Sequence, residues 1–128
     1  MKNVIEKIFN LWKIWTDFRQ ENNHKDYNWS ETYITWIIDE LNETLEEIKS
    51  KKIIYTEDEL GDIFWDYCCL LHCLEKEWKI NSAEKIFERS FNKISRRVNG
   101  CIAWEDWVDI KNVQKIELKN EQKLFDNK

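Results

Sequence analysis

Residues 36–75 read WIIDELNETLEEIKSKKIIYTEDELGDIFWDYCCLLHCLE, and the spacing inside this stretch decides the fold. Glu40 and Glu43 are three apart, and Glu47 follows four later. Glu59, Asp62 and Asp66 repeat the same intervals. Side chains three and four positions apart stack on one face of a helix. Ile34, Ile37, Ile38, Leu41, Leu45 and Ile48 keep helical period beside the first set, and Leu60, Ile63, Phe64, Tyr67, Leu71, Leu74 and Trp78 beside the second. The stretch therefore predicts two helices, each with an acidic stripe next to an apolar one. Packing through the apolar stripes would bring the acidic ones together at the edge of the seam. Carboxylates gathered there repel one another unless a positive charge sits among them. A hard divalent cation with oxygen ligands, Mg²⁺ or Mn²⁺, meets that need, and Mg²⁺ commonly joins carboxylates to phosphates. The same spacing also describes two solvated faces of an acidic protein, which are ordinary.

The rest of the chain points to long helices. It has 128 residues, no Pro, and Gly only at Gly61 and Gly100. That is too few turn formers for an all-β fold, and the length suits one domain with a real core. A net charge of −5 gives no basic field for nucleic acid. No apolar run has the length of a membrane span and no signal-peptide pattern opens the chain, so a cytoplasmic protein is expected. The four Cys then read most simply as free thiols.

In chain order, residues 1–22 form a helix apolar on much of its circumference, through Val4, Ile5, Ile8, Phe9, Leu11, Trp12, Ile14, Trp15 and Phe18. A small bundle has little room to surround such a helix, so its second face is expected to pack on another subunit. Residues 23–29 form a polar loop in which His24 receives no role. Ser30 is the expected N-cap of the next helix. After the link Ile53-Ile54-Tyr55, Thr56 and Glu59 fit a capping box, which gives Glu59 a second possible task. Gly61 inside that helix suggests a close approach by backbone or ligand. Cys68/His72 and Cys69/Cys73 are i,i+4 pairs, but they point about 100° apart and neither face offers four zinc ligands. Ser82 caps a helix over 83–98, with Ala83, Ile86, Phe87, Phe91, Ile94 and Val98 inward and Asn99-Gly100 ending it. Lys93, Arg96 and Arg97 near its end suit either the helix dipole or a phosphate. A last helix starts near Trp104, and residues 119–128 are expected to fray.

Read together, these segments resemble the all-α nucleoside triphosphate pyrophosphohydrolases of the MazG type. The family's metal motif is E-x-x-E on one helix and E-x-x-D on the next. Here it stands as Glu40-Leu-Asn-Glu43 and Glu59-Leu-Gly-Asp62, with fifteen residues between. Lys93-Ile-Ser-Arg96-Arg97 is similar to the family's K-x-x-R-R block, and Trp107-Val-Asp-Ile-Lys111 to its W-x-x-I-K block. Two features depart from the family. Asp39 stands where a Glu often opens the first motif, and the Cys-Pro-Trp-Asp element of many members is missing.

The resemblance implies a four- to five-helix bundle, all-α, assembled as a homodimer or homotetramer. It implies that Glu40, Glu43, Glu59 and Asp62 bind Mg²⁺, with Mn²⁺ as a substitute. A water would attack a nucleoside triphosphate, with Glu43 the candidate to take its proton, and pyrophosphate would leave. Lys93 and Arg97, with Arg96 sharing the task, would neutralise the leaving group. Trp15 and Trp29 are candidates for stacking on the base, although core packing explains them equally well. A narrower dUTP or dCTP hydrolase, or a non-enzymatic helical interaction module, would use the same residues differently.

Overall fold

The computed structural model describes residues 1–22 and 29–128, and every described element is helical. Of the polar loop expected at 23–29, residues 23–28, His24 included, lie outside the described residues, and Trp29 is the first residue of a helix instead. The helices are α1 (Lys2–Glu21), α2 (Trp29–Lys49), α3 (Ile53–Lys76), α4 (Ala83–Ile102) and α5 (Trp107–Asp126). This is the all-α architecture expected. The chain divides into two compact units, Met1–Ala83 and Glu84–Lys128.

In the first unit α3 is the shared partner, packing against α2 and α1. Tyr33 lies against Cys69 and Glu40 against Glu59, so α2 and α3 form an antiparallel hairpin. The surprise is which face α2 turns inward. Its buried residues are Ser30, Thr32, Tyr33 and Thr44, whereas Ile34, Ile38, Leu41, Leu45 and Ile48 stay about half exposed. Packing therefore does not run through the α2 apolar stripe. Glu40 and Glu59 meet in the seam with Glu43 and Asp62 at its exposed edge, and the apolar stripe of α2 stays outside. The residues buried on α3 are Asp66, Cys68, Cys69, Leu71 and Cys73.

Polar contacts hold α1 on α3. Asp17 accepts from Lys76 and pairs with His72 at 3.1 Å, Gln20 accepts from Lys76 at 2.8 Å, and the buried Trp12 tilts over His72. Arg19 connects α1 to α2, its guanidinium 5.5 Å from the Trp15 ring and 5.2 Å from the Trp36 ring. The expected caps move. Ser30 lies inside the first turn of α2 and donates to Glu77 at 3.0 Å. α3 begins at Ile53, because the chain already reverses at Ser50–Lys52 with Lys51 left-handed at φ 55°. Thr56 is then interior, and its hydroxyl donates back to the Lys52 carbonyl at 2.9 Å. The capping box is not formed, so Glu59 has no capping duty. Gly61 has open space around it, with no atom within 4 Å of where a Cβ would stand, so the expected close approach is absent among the described residues.

In the second unit α4 and α5 are joined by side chains. Arg89 forks onto Glu121 at 2.7 and 3.0 Å, Arg97 donates to Gln114 at 2.7 Å, and Gln114 donates to the Lys93 carbonyl. α4 runs past Asn99-Gly100 to Ile102. Gly100 is helical and buried, and a Cβ there would collide with the Ile110 side chain and crowd Arg96 and Glu105. The reversal falls instead on Trp104, at φ 64°. α5 starts at Trp107, later than expected, because Asp106 is its cap, accepting from the Val108 and Asp109 amides at 2.8 and 3.1 Å. α5 continues as helix through Asp126, with Glu121 bound by Arg89 and Gln122 donating to Asp126 one turn on. The inward stripe expected on α4 is covered only at its start, since Phe91, Ile94 and Val98 are exposed.

Replacing Asp106 with Ala should cost about 1 kcal/mol of stability, the usual value of an N-cap carboxylate. Urea unfolding followed by circular dichroism would measure it, and an unchanged midpoint would mean the cap carries no stability.

Candidate metal centre

The α2–α3 seam brings three carboxylates together. One oxygen from each of Glu40, Glu43 and Glu59 lies within 4.8 Å of the others. Glu40 and Glu43 come from consecutive turns of α2, and Glu59 reaches across from the second turn of α3. Glu40 and Glu59 are half-buried, and Glu43 is the exposed member. Asp62, one turn beyond Glu59, is exposed and falls outside the three-oxygen group, although its charge is felt at Glu40.

The electrostatics are those of crowded like charges. Glu40 is pushed up to about 8, first by hydrogen bonding with Glu59, then by burial and the charges of Glu59, Glu43 and Asp62. Asp62 is raised by burial, then by Asp58 and Glu59. Asp66 is pushed up to about 6 by burial and by Asp62. Glu40 Oε2 is buried with no hydrogen-bond partner. A charged carboxylate only accepts, so a shared proton, a water or a cation would satisfy this oxygen.

The donor set fits a hard divalent ion. Oxygens on opposite sides of a Mg²⁺ stand roughly 4.2 Å apart, twice its usual bond length, so a group spread over 4.8 Å closes on an ion with small side-chain adjustments. The basic residues expected at the leaving group lie on α4 and are described within the second unit. Arg96 is forked onto Glu105 at 2.8 and 3.0 Å, and Arg97 is stacked on Trp107 as well as bound to Gln114. Lys93 is exposed, with no ion pair to its ammonium among the described residues. Trp15 is partly exposed, stacked on Phe18 and approached by Arg19. Trp29 opens α2, partly exposed and left-handed at φ 55°.

Two features were not read from the sequence. Arg19 between Trp15 and Trp36 had a signal in the i,i+4 spacing of Trp15 and Arg19. The depth of Asp66 had none, since its spacing matches that of solvated acids.

The described residues are all-helical apart from their turns, and the packed hairpin gathers three glutamates across its seam, oxygen donors of the kind hard divalent cations take. The chain belongs to the MazG nucleotide pyrophosphohydrolase domain family, whose sequence model matches residues 29–102, more than half its length. No curated protein and no solved structure matches it.

The raised carboxyls predict a pH dependence. Glu40, Asp62 and Asp66 hold their protons to higher pH when folded than when unfolded. Their stabilising contribution is complete below the ordinary carboxylate range and is lost as pH rises through their folded values. Glu105 and Glu121, lowered by Arg96 and Arg89, act in the opposite sense but at lower pH. Without a cation, the melting temperature should therefore fall between about pH 5 and 8. Saturating Mg²⁺ should reduce that fall, and a flat cation-free profile would contradict the crowding.

Proposed function

We propose that this protein is a nucleoside triphosphate pyrophosphohydrolase, converting an NTP or dNTP to the monophosphate and pyrophosphate. The observation that carries this reading is the three-carboxylate group in the seam of a chain from this family. Glu40, Glu43, Glu59 and Asp62 would hold Mg²⁺, for which Mn²⁺ could substitute. When bound, the cation supplies charge neutralisation at the triphosphate and acidifies a water.

The chain's residues do the rest. Glu43, exposed at the mouth of the group, accepts the proton of the attacking water. Glu40, which its hydrogen bond with Glu59 helps to keep protonated in the cation-free chain, would release that proton to serve as an oxygen donor beside Glu59. Lys93 and Arg97 stabilise the charge that develops on the departing pyrophosphate. Arg96, forked onto Glu105, helps them less directly. Trp15 and Trp29 offer flat apolar surface to the base. The service fits the removal of unwanted nucleotides in the cytoplasm. No helix among the described residues is long and apolar enough to cross a membrane.

The working form is a homodimer or homotetramer. Support comes from the apolar stripes of α1 and α2, where Leu11, Ile14, Phe18, Ile38, Leu41 and Leu45 stay half exposed in one chain. A second copy is the occupant that gives those stripes cover.

Pyrophosphate release from a panel of NTPs and dNTPs, with Mg²⁺ and with EDTA, tests the activity. Release should require Mg²⁺, and the ranking of nucleotides would distinguish a broad enzyme from a dUTP or dCTP hydrolase. Glu43→Gln should lower turnover at least 100-fold with helix content unchanged, and wild-type turnover in that variant would remove Glu43 from the mechanism. Lys93→Ala should slow release far more than Lys123→Ala in α5. Equal effects would reduce the basic block to a helix end.

A further inference from the structure

α4 keeps its charges off one side. Seven of its twenty residues are charged. Three of them face the α5 side: Arg89 forks onto Glu121, Arg96 forks onto Glu105, and Arg97 donates to Gln114. Ile110 of α5 rests on Gly100 on the same side. At 100° per residue, the opposite side of α4 is an open groove lined by Ser90, Phe91, Ile94, Ser95, Val98 and Asn99. None of these six is charged. Phe91 is 73% exposed, and Ile94 and Val98 are exposed as well. α5 therefore cannot be what fills the groove, and an apolar strip left open in this way marks an interaction surface.

The charge pattern suits a second copy. In a two-fold pair both copies offer the same patch, so residues near the axis face their own counterparts. A charge at such a position would meet the same charge, which opposes association. With two α4 helices antiparallel and the axis between positions 94 and 95, Ile94 and Ser95 each meet their own counterparts. Phe91 then faces the smaller Val98 of the partner subunit. No charge lies on that line. The small Ser95 lets the helices come close, since interaxial distance follows the side chains at the contact. A partner of different sequence is commonly selected through complementary charge, and this groove offers none to select by.

We propose that α4 is a two-fold contact between copies of this chain, its groove over 90–99 filled by the same groove of a second copy running antiparallel. The contact gives the homo-oligomer proposed above a surface separate from the α1 and α2 stripes. Used together, the two surfaces would carry a tetramer. The contact does not rest on the catalytic reading, because Lys93, Arg96 and Arg97 lie outside the groove.

Size exclusion with light scattering, on wild type, Ile94→Lys and Ile94→Glu at one concentration, tests the contact. Each variant sets a charge against itself at the axis, so its mass should fall to half the wild-type value. Mixed in equal amounts, the two variants bring opposite charges together, and the wild-type mass should return. A second measurement stands if either variant fails to fold. In a Cys101→Ser background, which removes the exposed thiol, Ser95→Cys should form an interchain disulfide on mild oxidation. Asn92→Cys, outside the groove, should not. Wild-type mass in both single variants, or a halved mass that mixing does not restore, would overturn the α4 contact and leave the α1 and α2 stripes as the interface. A Ser95→Cys chain that stays uncrosslinked would do the same. A monomeric wild type would overturn both surfaces.

Discussion

Repulsion among carboxylates across the α2–α3 seam is the constraint on which the first unit turns. Helix pairs ordinarily bury their apolar faces against each other, because apolar area removed from water is the main favourable term in packing. Here α2 presents Tyr33, Glu40, Thr44 and Glu47 to its neighbour and leaves an isoleucine and leucine stripe outside. Such a seam is poor at holding a hairpin by itself. It is stabilised at its inner end by Tyr33, Cys69 and Cys73, all fully buried, and at its outer end by protons retained on crowded acids. The arrangement is the opposite of what stability alone would select, which is common where a site must stay ready for a charged ligand.

How much of this was legible follows from which physical rule each feature obeys. The five helices and the clustering of Glu40, Glu43 and Glu59 depend on helical period, a local property that sequence displays directly. The face that α2 buries depends on what else is available to cover its apolar stripe, and sequence period does not carry that. Ile38 and Leu41 look like core residues to any rule that assigns apolar faces inward within one chain. The burial of Asp66 was hidden for the same reason. Once the polar face turned in, the acid one turn past Asp62 turned in with it.

The boundaries failed through local competition. Thr56 and Glu59 have the spacing of a capping box, yet the left-handed Lys51 starts α3 a turn earlier and makes Thr56 an interior residue. Gly100 looked like a helix end, and it is a contact glycine on which Ile110 rests. The polar run after residue 118 looked like a tail because its hydropathy is low, but the Arg89–Glu121 fork ties it to α4. At Gly100 and in the last helix a side-chain partner distant in sequence outweighed a local preference, as tertiary context commonly does.

The tight reversal at Ser50–Lys52 has a further consequence. Three residues between two long helices leave almost no slack, so the link acts as a ruler that fixes rotation as well as distance. Adding or removing one residue near the start of α3 would turn the rest of that helix by about 100° and carry Glu59 off the face that meets Glu40. Loops elsewhere tolerate changes in length readily. This one should drift in composition during descent while its length stays frozen.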